Sequence, residues 1–130
     1  MKKVLVIENE KVLLEGIVEI LDSLDLSLIA AENGSIGVQL AQQHLPDLIL
    51  CDIMMPKING YTVLSILRQN PATATIPVIF ISAKAEKSDI WQSRKLGADD
   101  YLTKPFTIAE LSDAIAIQLE SRTACQLVME

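Results

Sequence analysis

Apolar residues fall into five compact runs along the chain: Val4–Ile7, Leu26–Ala31, Leu48–Cys51, Val78–Ile81 and Tyr101–Leu102. Within each run apolarity is continuous rather than alternating, and β-branched residues are frequent, which predicts short strands covered on both faces. The intervening segments carry helical spacing instead. In the first, Val12, Ile17, Ile20, Leu21 and Leu24 recur at roughly three- to four-residue intervals, giving one apolar stripe. Further helices are predicted from about Ser35 to His44 behind Asn33-Gly34, and from about Tyr61 to Gln69. Two more run from about Lys87 to Leu96 and from about Ile108 to Glu120. Pro71 and Pro77 punctuate the third connection, because the residue before a proline is pushed out of the α region.

Strand and helix thus alternate five times, which predicts an α/β architecture with a parallel sheet and helices on both faces. Right-handed crossovers leave few topologies for such a sheet, and the doubly wound order 2-1-3-4-5 is the expected one. Ligands of such sheets sit beyond the carboxyl ends of the strands, near the point where strand order reverses, so the polar residues ending each strand matter most.

Composition narrows the picture. A length of 130 residues suits one domain, expected over 1–121, with 122–130 as a C-terminal tail or truncated linker. The net charge of -6 repels phosphate backbones, so direct nucleic-acid binding is not expected. No apolar run approaches the ~20 residues of a membrane span, and the four apolar residues after Lys3 fall short of a signal-peptide core, so the expected location is the cytoplasm. Cys51 and Cys125 have neither a CxxC partner nor clustered histidines, which argues against a disulfide or zinc site.

Chemistry gathers at the strand ends. Strand 1 ends in Glu8-Asn9-Glu10, strand 3 in Asp52, strand 4 in Ser82-Ala83, and strand 5 in Lys104-Pro105-Phe106. In a parallel sheet these converge on one rim. Carboxylates with an amide oxygen form a hard, oxygen-rich site suited to Mg²⁺, while a lysine and a hydroxyl supply donors for an anion. Together they describe a cation and a phosphoryl group side by side, and a carboxylate can itself be the nucleophile, giving an aspartyl-phosphate.

Val4-Leu-Val-Ile-Glu8-Asn9-Glu10, Asp52-Ile-Met-Met-Pro56 followed by Gly60, Ser82-Ala83, and Gly97-Ala-Asp-Asp-Tyr-Leu-Thr-Lys104-Pro105-Phe106 resemble the response-regulator receiver domain of two-component signalling, of the chemotaxis-regulator type. The resemblance covers residues 3 to about 120 and implies a flavodoxin-like fold. It implies that Asp52 is the phosphoacceptor and that Lys104 contacts the phosphoryl group. It implies Mg²⁺ held by Glu8, Asn9, Asp52 and the backbone carbonyl of Met54. Ser82 would follow the phosphoryl and Tyr101 change rotamer with it, altering a partner surface on helix 4, strand 5 and helix 5. The Lys104–Pro105 bond is implied to be cis. A histidine kinase or phosphotransfer protein would donate, a downstream effector would read the result, and the chain would be a monomer or weak dimer. One departure stands out: Asn9 occupies a position where the family usually has an acid, and an amide oxygen brings no charge to the metal.

Plainer roles fit several residues. Glu10 reads as a solvated strand-end acid, Gly60 as a turn and Gly97 as a helix C-terminal cap. Met54-Met55 reads as loop packing, Cys51 as inert core, and His44 as a surface residue at a helix end. Trp91 is expected part-exposed on the partner-facing side. The rival from another class is a phosphorylation-independent interaction module with a degraded metal site. An aspartate-nucleophile phosphatase would want a second acid where Met54 stands. A flavin-binding relative would want a Ser/Thr/Gly-rich loop after strand 1, so both are set aside.

Overall fold

A computed structural model describes residues 2–83 and 86–129. Five strands, β1 (Lys3–Ile7), β2 (Ser27–Ala31), β3 (Leu48–Asp52), β4 (Val78–Ser82) and β5 (Asp100–Thr103), alternate with α1 (Lys11–Asp22), α2 (Gly34–His44), α3 (Gly60–Gln69), α4 (Lys87–Lys95) and α5 (Ile108–Met129). The sheet is wholly parallel, in the order β2-β1-β3-β4-β5.

Each continuous apolar run divides between the two faces with a period of two, which is why it carries no polar alternation. Leu5, Ile7, Ile49, Cys51, Val78 and Phe80 face α2 and α3, packing on Ala41, Val63, Leu64 and Leu67. Val4, Val6, Leu48, Leu50, Ile79 and Ile81 face α1 and α5, packing on Leu14, Ile17, Leu21, Leu111, Ala114 and Ile115.

Several details differ from the sequence reading. The apolar line of α1 is Leu14, Ile17 and Leu21, whereas Val12 is 82% exposed and Leu24 lies past the helix end. A three- to four-residue spacing left the rotation of that stripe undetermined, and contact with β1 and β2 chose it. β2 is only partly covered because it is the sheet edge. Gly60 is no turn: it is the first residue of α3, capped by Asn59, whose Oδ1 accepts from Thr62 N–H at 3.0 Å. Its role is close approach, since a Cβ there would meet Asp52 O at 2.7 Å and Ile53 Cα at 2.8 Å. Gly97 does terminate α4, with φ of +105°. Helix α5 opens on a reciprocal Thr107–Glu110 capping box and continues past Glu120 to Met129. The side chains of its last stretch, Cys125 among them, lie outside the described residues.

Candidate functional site

Parallel register brings the strand ends together. Ile7 pairs with Cys51, so Glu8 and Asp52 follow side by side, while Ser82 pairs with Thr103, so Lys104 comes next on the same rim. Lys104 N–H donates to Ser82 O at 2.8 Å, continuing the ladder one step beyond β5, and the Lys104–Pro105 peptide is cis.

Glu8 is fully buried and Asp52 is 3% exposed. Lys104 Nζ lies 2.8 Å from Glu8 Oε1 and 3.5 Å from Asp52 Oδ2, so one ammonium serves two carboxylates. The other carboxylate oxygens are held from the main chain: Glu10 N–H donates to Glu8 Oε2 at 3.1 Å, and Met54 N–H to Asp52 Oδ1 at 3.3 Å. The Asn9 amide completes the set. With its nitrogen turned inward it donates to Asp52 Oδ2 and to Glu8 Oε2, both at 3.2 Å. Among the described residues, no buried side-chain nitrogen or oxygen lacks a partner.

These surroundings shift the ionisations. Burial and then Glu8 push the Asp52 carboxyl up to about 6, against the opposing pull of Lys104 and the Met54 N–H. Burial pulls the Lys104 ammonium down, yet the Glu8 and Asp52 carboxylates outweigh it and its pKa is raised. Burial also pushes the Cys51 thiol up, and its S–H donates to Asp52 O at 3.3 Å, as fits an unreactive core cysteine. Tyr101, half-buried beside β4, is raised by burial, while a hydrogen bond with Ser82 acts the other way.

The structure therefore gathers Glu8, Asn9, Asp52, Ser82 and Lys104, and links Tyr101 to them through Ser82. Met54 joins by its N–H, with the side chain 55% exposed. Glu10 is exposed and lines, with Val12, Leu13, Lys104, Pro105 and Phe106, an apolar groove of about 590 Å³ beside the rim. Trp91 is 64% exposed on α4, with Lys95 Nζ 4.9 Å from its ring centroid.

Chemically the rim suits a small hard cation. Its donors are oxygens: two carboxylates converging on the spot that the Asn9 amide touches, with the Asn9 oxygen available when that amide turns over. Among the described residues no three His, Cys, Asp or Glu gather into a metal cluster, so charge comes from Glu8 and Asp52 alone. Two features escaped the sequence reading. One is the approach of the Asn9 amide to Glu8 Oε2 and Asp52 Oδ2 together, where its nitrogen can donate as well as its oxygen ligate. The other is Arg68, whose guanidinium reaches Ile76 O at 2.7 Å, Gly97 O at 2.9 Å and Asp99 Oδ2 at 3.1 Å. The single charged residue of α3, placed in its last turn, was its available signal.

Comparison with known proteins follows the same lines. The family described as "Response regulator receiver domain" matches residues 4–116. Protein PilH of Pseudomonas aeruginosa is 37% identical over 106 residues, covering 81% of this chain and 87% of that protein. The DNA-binding dual master transcriptional regulator RpaA of Synechocystis sp. is 38% identical over 111 residues, covering 85% of this chain and 46% of that protein. The probable transcriptional regulator ycf29 of Pyropia yezoensis is 41% identical over 113 residues, and the chain spans about half the length of both regulators. Among solved structures, the Francisella response regulator 1452 receiver domain superposes with a TM-score of 0.88 at 32% identity, covering 94% of this chain and 99% of that one.

Proposed function

The chain belongs to the response regulator receiver domain family, and from that premise we propose that it takes a phosphoryl group onto Asp52 and passes the event on as a change of surface. The observation that carries this reading is the trio of Glu8, Asp52 and Lys104 on one rim, with Lys104 within 3.5 Å of both carboxylates.

In the proposed reaction an Asp52 carboxylate oxygen attacks the phosphorus of a phosphohistidine on a kinase or phosphotransfer protein. The P–N bond breaks as the P–O bond forms, and the leaving imidazole nitrogen takes a proton. Lys104 Nζ, already shared between Glu8 and Asp52, offsets charge developing on the transferring phosphoryl. Glu8, Asn9, Asp52 and the Met54 carbonyl would hold Mg²⁺, which supplies charge neutralisation at the phosphoryl oxygens when bound. Ser82 follows the phosphoryl and draws on Tyr101 through their hydrogen bond, which carries the change toward α4, β5 and α5.

A second reading, an interaction module that works without phosphorylation, draws on one observation: Lys104, together with the Asn9 amide when its nitrogen is inward, can satisfy both carboxylates from the chain's own groups. Labelling by a radioactive small acyl phosphate, with Mg²⁺ and with a chelator, separates the two. Phosphoacceptor chemistry requires label on the wild type in Mg²⁺, its loss with chelator, and none on Asp52→Asn. A wild type that takes no label while still binding its effector establishes the module instead.

A further inference from the structure

Asn9 stands where two buried carboxylates meet, and its amide has two ends with opposite chemistry. Glu8 and Asp52 bring two negative charges to one rim, and Lys104 brings a single positive one. One end of the Asn9 amide lies 3.2 Å from both Glu8 Oε2 and Asp52 Oδ2, and its nitrogen, when turned to that end, donates to both. Turned over, the same amide would aim its oxygen at both carboxylates. Three oxygens facing one another repel unless a cation or a donating water sits among them, and a cation relieves the repulsion more strongly.

We propose that Asn9 is a two-position adaptor. With the nitrogen inward it bridges Glu8 and Asp52 and holds the rim together without metal; with the oxygen inward it becomes a neutral ligand to a divalent cation. An aspartate at this position could do only the second, because an ionised carboxylate has no donor. Asn9 therefore trades cation affinity for a metal-free site that is already settled. The inference rests on the reading of this rim as a Mg²⁺-assisted phosphoacceptor and adds a positioning residue to it.

The test uses the full 130-residue chain labelled with ¹⁵N, and follows two signals during Mg²⁺ titration: the Asn9 side-chain NH₂, assigned by its absence in Asn9→Asp, and the backbone N–H of Met54, which reports on Asp52. Both should move together, the NH₂ losing its hydrogen-bonded position as the amide turns. Met54 moving while the Asn9 NH₂ stays fixed overturns the adaptor and leaves the Mg²⁺ site intact. Neither moving overturns the Mg²⁺ reading and the oxygen-inward state with it. A second measurement addresses the metal-free half: in chelator, Asn9→Asp should unfold roughly 5 °C below wild type, and Mg²⁺ should restore it with a midpoint concentration roughly tenfold lower than the wild type requires. Equal unfolding temperatures in chelator show that the amide bridge contributes nothing and sink the proposal.

Discussion

Lys104 and Glu8 lie 96 positions apart in sequence, yet the Lys104 Nζ sits 2.8 Å from a Glu8 carboxylate oxygen with no exposure at all on the glutamate. Removing the lysine leaves buried charge without its counter-ion. Lys104→Met should cost about 3 kcal/mol of unfolding free energy, the lower end for breaking a buried pair, because the ammonium itself is part-exposed. Adding Glu8→Gln to that variant should return at least half of the loss. Urea unfolding of the two single variants and the double variant checks this; simple additivity of the two losses would contradict the coupling.

Asp52 predicts a pH dependence of the opposite sign to that of an ordinary salt-bridged carboxylate. Its pKa rises from 3.8 to about 6 on folding, so the folded state holds the proton more tightly. Its contribution to stability is full below the unfolded value and is lost as pH rises through about 6. Asp52→Asn removes this titration, so the variant's stability relative to wild type should grow between pH 4 and 6 and then level off. Unfolding curves in chelator across that window measure the difference, and a flat or shrinking difference refutes it.

Two glycines should respond oppositely to alanine. At Gly60 the added methyl would press on Asp52 O and Ile53 Cα, both main chain, so Gly60→Ala should cost about 1–3 kcal/mol and lower labelling of Asp52 by moving it. At Gly16, in the middle of α1, nothing lies within 4 Å, and Gly16→Ala should stabilise by about 0.5–1 kcal/mol through backbone entropy and helix propensity. Thermal unfolding and phosphodonor labelling of the pair decide between these signs.

Trp91 offers a direct optical readout. Being 64% exposed with Lys95 over its ring, it should emit near the wavelength of a hydrated indole and be open to acrylamide quenching. Phosphorylation should change its emission, since Ser82 and Tyr101 connect Asp52's rim to the segment carrying α4. Lys95→Met should change the resting emission but leave the phosphorylation response in place. Emission unaltered by full labelling would exclude α4 from the switched surface.

Strand positions, sheet order and the convergence of Glu8, Asp52, Ser82 and Lys104 were legible because continuous apolar runs and strand-end polar residues depend on local pattern plus one topology. The buried face of α1 was not, because Val12 and Leu14 satisfy the same spacing and only contact with the sheet separates them. Gly60 read as a turn because a sequence names a glycine without saying whether a positive φ or a crowded neighbour requires it. The contact of the Asn9 amide with both carboxylates was not legible, because Glu8 of β1's end and Asp52 of β3's end meet only on folding.

At the far end of the sheet, Arg68 ties the loop before β4, the end of α4 and the start of β5 to α3 through Ile76 O, Gly97 O and Asp99, whose carboxylate also accepts from Val78 N–H at 2.8 Å. This makes the amino-terminal edge of β4 and β5 a fulcrum. Whatever displaces α4 from the carboxyl-terminal rim has to tilt it about that anchored end rather than slide it along the sheet, so the movement felt by a partner would be largest near Glu86 and Lys87 and would fade toward Gly97.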